Sequence, residues 1–392
     1  MKPQKKVRYH AIARRWFFIA PVVSVIVIFL LYLIVTAVAA TNPQMPAWKL
    51  VNGLFNNDNY DEHLSHQRQF DDNDSVEGDE KIVPPEIDNR CENRDPNNYN
   101  ITCVKPTPGM KITETTVFCP GEYDLSNTDE PGIVIESNNI GLYCDGTILR
   151  GRKDQAGIML NGKNDFITGC VLHEFQTGII GGGNGCKISE VKIYNPERRF
   201  IDLEGRDHPV EKAAICNSTF INEIGSGYGV DCLNCVDVTI SENRYENQFP
   251  SVESPIAIMN SQKVLIRNNK IVSRGGAACN GIWLSETSHS IVEGNHVEMY
   301  GGEGSHIYKG ENNWVTNNTY ITHYDGSPQT QPDVIELGSE GSENVLVGNY
   351  FYYGRVSDEG SENVYCVDGV GNSYLAGATY HGPDPGQGTC RK

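Results

Sequence analysis

Asp202 and Asp231 stand at matching places in successive repeats of a strand-rich chain, and that placement gives them chemical interest. Neighbouring parallel strands lie about 4.8 Å apart. Two carboxylates that close cannot both ionise freely, so they bind a cation or share a proton. A Ca2+ ion held there would bridge to an acidic sugar. A shared proton would set a general acid beside a carboxylate base, as glycoside hydrolysis requires. Both residues are therefore candidate catalytic groups and candidate metal ligands. A solvated row of surface aspartates is the plainer reading of the same pattern.

Other groups converge on this face. Glu204-Gly205-Arg206-Asp207-His208 forms a long turn directly after the Asp202 strand, which makes Arg206 and His208 candidate catalytic residues. Lys309 is a third basic candidate. Trp283 and Tyr308 would form an aromatic platform for sugar faces, because their rings pair an apolar body with a polar tip. Glu336 joins them as a candidate substrate contact. Arg244, Lys270 and His296 form a second outward row on a different sheet, read as solvated. The chain has no phosphate-cradling loop and no nucleophile–base motif.

A repeat must position these residues. Asn217, Asn243, Asn269 and Asn295 are spaced 26 residues apart, each three residues after an apolar position: Ala214, Ile240, Ile266 and Val292. A fixed period in the twenties marks a stacked supersecondary unit. Cys119, Cys144, Cys170 and Val191 hold the asparagine's place in earlier repeats, and Asn318 and Asn349 in later ones. Inward pairs recur about twelve residues earlier, at Val230/Cys232, Ile256/Ile258 and Ile282/Leu284. Each unit reads as strand, turn, strand, asparagine corner, short strand and variable loop. This predicts an all-β, right-handed parallel β-helix of about ten coils, in which the coil itself is the crossover. Strand alternation then gives the outward row of the first sheet: Met159, Ile180, Asp202, Asp231, Ala257, Trp283, Tyr308, Glu336 and Tyr365. The asparagine corner buries Asn217, which argues against glycosylation of the sequon there.

Gly-Ile-Trp-Leu (281–284), Val-Leu-Ile-Arg-Asn-Asn (264–269) and Asn-Val-Leu-Val-Gly-Asn-Tyr-Phe (344–351) resemble rungs of the pectate lyase and polygalacturonase superfamily. The resemblance covers roughly residues 106–382. It implies a substrate groove along the first sheet and a polysaccharide partner. It does not choose an activity, because similar coils serve lyases, hydrolases, epimerases, tailspikes and adhesins. His306-Ile-Tyr-Lys309 is similar to the lysine rung of chondroitinase-B-type lyases. However, that family's paired glutamates are absent apart from Glu303, and Glu336 stands where its arginine is expected. Val-Asp231-Cys232 carries one aspartate where polygalacturonases have two, and no Gly-His-Gly follows.

Charge and cysteine set the compartment. The 392 residues carry a formal charge of −18. All charge before residue 40 is basic, confined to residues 1–15. Residues 16–40 are uncharged and long enough for a membrane anchor, with the N-terminus cytoplasmic and the remainder exported. Cleavage at Ala37-Val38-Ala39 is the rival, giving a secreted protein. Residues 41–105 form an acidic linker, 106–382 the β-helix and 383–392 a tail. Without its six N-terminal basic residues the chain stands at −24, which excludes nucleic acid as a partner. Twelve cysteines fit an oxidising compartment. Cys91 with Cys103 and Cys366 with Cys390 are candidate staples, and Cys232 and Cys235 are read as buried or disulfide-bonded.

These readings predict a membrane-anchored, extracytoplasmic β-helix that binds polysaccharide and processes it as a lyase, glycosidase or epimerase. The alternatives are a non-catalytic adhesin or envelope component and a structural spacer.

Overall fold

The computed structural model describes residues 102–205, 208–224, 228–248, 254–274, 280–323, 333–365, 372–375 and 379–381. The apolar segment 16–40, most of the linker, the tail, Arg206, Cys91, Cys366 and Cys390 lie outside them. Among the described residues no helix is long and apolar enough to cross a membrane.

Three parallel sheets make one solenoid. Among the described residues the first has twelve strands and the second and third eleven each, the coils giving a strand to each sheet in turn, and Val210–Glu211 pairs with Cys235–Val236 in a small additional sheet. The fold is the right-handed parallel β-helix expected. Its interior columns are nearly all β-branched or aliphatic, as parallel strands buried within a coil require. Ile201, Val230, Ile256 and Ile282 stack without exposure, as do Leu203, Cys232, Ile258 and Leu284. Phe200, Phe220 and Tyr245 fill the interior with centroids 5.3 and 4.8 Å apart.

The corner before the third sheet explains the asparagines. In Asn295 the backbone N–H and Nδ2 both donate to Asn318 Oδ1, at 2.8 and 2.9 Å, while Nδ2 also donates to the Ile266 carbonyl at 2.9 Å. Asn243, Asn269, Asn318 and Asn349 repeat the pattern. Every buried amide is thus satisfied, and losing one would cost roughly 1–3 kcal/mol. The preceding residue is left-handed at Asn268 (φ 52°), Gly294 (64°), Asn317 (55°) and Gly348 (67°). Gly and Asn tolerate that conformation best, which is why these four corners read Asn-Asn or Gly-Asn, although Glu242 before Asn243 adopts it too (φ 58°).

Three expectations change. Asn217 is exposed and left-handed, with φ 51°. Ser218 holds the ladder site instead, its N–H donating to Asn243 Oδ1 at 3.0 Å. The cause is a coil of 25 rather than 26 residues, with Cys216 beside Ser241 and Thr219 beside Arg244. The ladder also runs one coil further than counted, to Asn372. Finally, Cys103 bonds to Cys119, so it is not the partner of Cys91, while Cys144 bonds to Cys170 and Cys232 to Cys235. A second amide ladder, unseen in sequence, lines the corner before the second sheet through Asn313, Asn344 and Asn363.

Candidate functional site

A local bend in the first-sheet strands determines which side chains meet. In strand Arg199–Glu204, Phe200 and Ile201 both point inward; in Glu303–Tyr308, Gly304 and Ser305 do so; in Asp333–Leu337, Val334 and Ile335 do so. A Cβ on Gly304 would lie 2.4 Å from the Val334 carbonyl oxygen, so glycine is needed there. Two inward residues in a row break strict alternation. The residues flanking them, three apart, then share the outer face: Arg199 with Asp202, Glu303 with His306, and Asp333 with Glu336.

The outer row runs in register Met159, Ile180, Asp202, Asp231, Ala257, Trp283, His306, Glu336 and Ser357. His306 therefore takes the place expected for Tyr308. Tyr308 lies two residues further along the same strand, beside Ser285, with its ring edge-on to His306 at 6.2 Å. Tyr365 belongs to the second sheet. Trp283 is next to His306 across the strands, and both it and Tyr308 face outward.

Asp202 and Asp231 are adjacent in register, as expected. Arg199 stands between them, 2.5 Å from Asp202 and 2.7 Å from Asp231, and supplies the positive charge that a bound cation would have brought. Both carboxylates are buried, at 6% and 3% exposure. Burial pushes Asp231 up to about 7; Arg199 opposes the shift and Asp202 adds to it. With Asp231 protonated, one carboxylate matches one guanidinium and the trio is neutral. His208 is exposed in its turn, and among the described residues no hydrogen bond or ion pair links it to either aspartate.

The second cluster lies three coils further on. His306 Nδ1 is 3.3 Å from Glu303 and 3.7 Å from Glu336. Burial pushes Glu336 up to about 7; His306 opposes the shift and Glu303 adds to it. Burial acts to lower His306, but Glu303 and Glu336 outweigh it and raise the imidazole. Its Nε2 is buried and has no hydrogen-bond partner. Asp333 holds Arg355 through two bonds, at 2.5 and 2.9 Å, on the edge of the group. Donor atoms of Glu303, His306 and Glu336 lie within 4.8 Å of one another, so these three could also hold a metal ion. Two carboxylates and one imidazole suit a divalent transition-metal cation. Lys309, by contrast, pairs with Glu340 at 3.0 Å and lies over the Tyr308 ring. The Glu340 hydrogen bond raises its pKa, which disfavours the neutral amine a base must be.

Arg199, Glu303, Asp333 and Arg355 went unread because alternation assigns residues three apart to opposite faces. One signal was available for His306. It lies twelve residues before Asn318, just as Trp283 lies twelve before Asn295.

A family model described as a right handed beta helix region matches residues 177–351. Among solved structures, the chain is similar to the surface protein and adhesin PfbA of Streptococcus pneumoniae, at 11% identity and TM-score 0.45, over 70% of this chain and 90% of that one. It is similar to an alginate lyase from Paenibacillus sp. str. FPU-7, at 15% identity and TM-score 0.41, over 71% and 92%. It is also similar to the A-module of the Azotobacter vinelandii mannuronan C-5 epimerase AlgE6, at 11% identity and TM-score 0.36, over 69% and 91%. These likenesses are of fold alone. No curated protein sequence matches the chain.

Proposed function

We propose that the protein acts on an acidic polysaccharide laid along the outer face of the first sheet, with Glu303, His306 and Glu336 as its acid–base group. The observation that carries this reading is the meeting of those three side chains beside Trp283, with a carboxyl group titrating near neutrality. A base poised near the working pH is the most effective one. Proton abstraction fits better than two-carboxylate hydrolysis. Glycosidases hold their carboxyl groups about 5 Å or more apart, whereas Glu303 and Glu336 have oxygens within 4.8 Å of each other, and Glu303 helps to raise Glu336. In this reading the base takes the proton beside a uronate carboxyl. Elimination then forms a carbon–carbon double bond as the bond to the leaving sugar oxygen breaks, and that oxygen takes a proton from protonated His306; in epimerisation a water molecule on the opposite face of the sugar gives the carbon a proton instead. Arg355, close enough to feel the charge of both glutamates, offsets the negative charge that builds up. A cation that accepts imidazole, such as Zn2+, would sit at this cluster, whereas Ca2+, which takes oxygen ligands, fits neither it nor Asp202 and Asp231, where Arg199 already brings a positive charge. Anchoring through residues 16–40, with the solenoid outside the cytoplasm, belongs to the same reading; the disulfides support the oxidising compartment.

The test uses the purified full-length protein and its Glu336→Gln variant, with and without a chelator, on alginate, polygalacturonate and dextran. Rising ultraviolet absorbance from unsaturated uronate marks elimination, and a changed uronate NMR spectrum marks epimerisation. Either signal, lost in the variant, supports the proposal. New reducing ends without absorbance, or equal activity in the variant, overturns it. Binding without any product would favour the adhesin alternative.

A further inference from the structure

A second candidate binding face lies on the third sheet, around the corner from the acid–base cluster. Arg274, Tyr300, His323 and Tyr353 come from four successive coils. Arg274 lies over the Tyr300 ring at 5.5 Å, Tyr300 stacks on His323 at 4.0 Å, and His323 lies 6.4 Å from Tyr353. The column follows the solenoid axis for about 14 Å, three strand spacings. Beside it, Lys270 and Tyr350 come from the same run of coils. Tyr300, Tyr350 and Tyr353 are 37%, 48% and 41% exposed, among the few large apolar side chains so placed.

Charge separates this face from the rest of a chain that carries −18. Lys270 and Arg274 are exposed and have no carboxylate partner among the described residues. The carboxylate in their midst, Glu298, is already engaged by His323 at 2.8 Å and by the Tyr300 hydroxyl at 2.6 Å. Rings stacked on one another turn their edges outward, and aromatic edges carry positive potential. Unpaired cations, ring edges and exposed tyrosines all favour an extended anion with apolar faces. One strand spacing is close to the length of one pyranose residue, so successive coils can meet successive sugars.

We propose that this face binds a linear uronate-containing polysaccharide, separately from the first-sheet cluster. Its carboxylates meet Lys270 and Arg274, while its sugar rings lie against Tyr350 and Tyr353. The inference shares with the proposed function only the class of ligand. A bound chain here would hold polymer near the first sheet and raise its local concentration there.

The test measures binding of full-length protein to alginate and polygalacturonate, with dextran as the neutral probe, by affinity electrophoresis. Lys270→Ala/Arg274→Ala and Tyr350→Ala/Tyr353→Ala change exposed side chains only. The expected result is retardation by both uronates, weakened about tenfold or more by the cation pair and weakened also by raising salt from about 50 to about 200 mM. The tyrosine pair should lower it several-fold, and the Glu336→Gln variant should retain it. Equal retardation by dextran, or unchanged binding in both third-sheet variants, overturns the proposal. If Glu336→Gln alone abolishes binding, the first-sheet reading stands and this one falls. If the third-sheet variants change the mass in solution instead, the face packs against a second copy of the chain, and the proposal fails.

Discussion

The first sheet carries two acidic clusters built by the same backbone device and finished differently. At Asp202 and Asp231 the bend brings in Arg199, which pairs with one oxygen of each carboxylate and leaves Asp231 Oδ1 buried without a hydrogen bond among the described residues. At Glu303 and Glu336 it brings in His306, which can gain or lose a proton and leaves Nε2 without a partner. The nearby arginine, Arg355, is taken by Asp333. One side chain at the bend therefore separates a carboxylate pair held by a fixed guanidinium from one that meets an ionisable imidazole. The carboxylates are also placed differently: Asp202 and Asp231 are partners across adjacent strands, whereas Glu336 is the partner of His306 and meets Glu303 only through the bend.

The comparison breaks most directly through Glu336. Glu336→Gln should lower turnover by roughly a hundredfold to ten-thousandfold, the usual range for a lost acid–base group, while Asp202→Asn stays within a few-fold of wild type. Steady-state rates on the best uronate substrate decide it; the reverse ranking would move the site to the arginine cluster. Next comes Arg199→Met, which strands two buried carboxylates. It should destabilise the solenoid by about 3–5 kcal/mol, read from urea denaturation.

The pH dependence sharpens the contrast. Asp231 is held near 7 in the folded chain, above its ordinary 3.8. The folded state then binds the extra proton, so this contribution to stability is complete below about pH 4 and is lost as pH rises to about 7, for a total of roughly 4 kcal/mol. Asp231→Asn cannot titrate, and its denaturation midpoint should vary less over that window; an unchanged slope would mean that Asp231 is ionised throughout. The smallest effect is expected from Lys309→Ala. It breaks an exposed pair with Glu340, and turnover should stay within about threefold of wild type, since exposed pairs contribute little. A loss as large as that of Glu336→Gln would make Lys309 the base.

Much of this molecule was legible from its period. Asn243 through Asn349, the inward pairs and the outward row as far as Trp283 all follow from counting. Counting failed where coils change length. Between Asn295 and Asn318 the repeat shrinks to 23 residues. The shortening falls in the turn between Tyr300 and Glu303, not between the first sheet and the corner, so His306 rather than Tyr308 keeps the register. The cluster itself stayed hidden for a different reason. Periodicity assigns faces by alternation, and the bend that unites Glu303 with His306 is a departure from it. Asn217 teaches the same lesson at the corner, where one missing residue hands the ladder to Ser218.

The clamps along the corners also give the molecule a chemical polarity. The first coils are tied by Cys103–Cys119 and Cys144–Cys170, the middle ones carry Cys232–Cys235 and a disulfide at Cys216, and the coils of the acid–base cluster are held by amide ladders that no reductant can touch. In a solenoid each coil leans only on its neighbours, so stability is close to a sum along the axis. A thiol would therefore loosen the end that follows the linker and leave the acid–base coils standing. Reduction therefore gives this protein a direction in which to come apart.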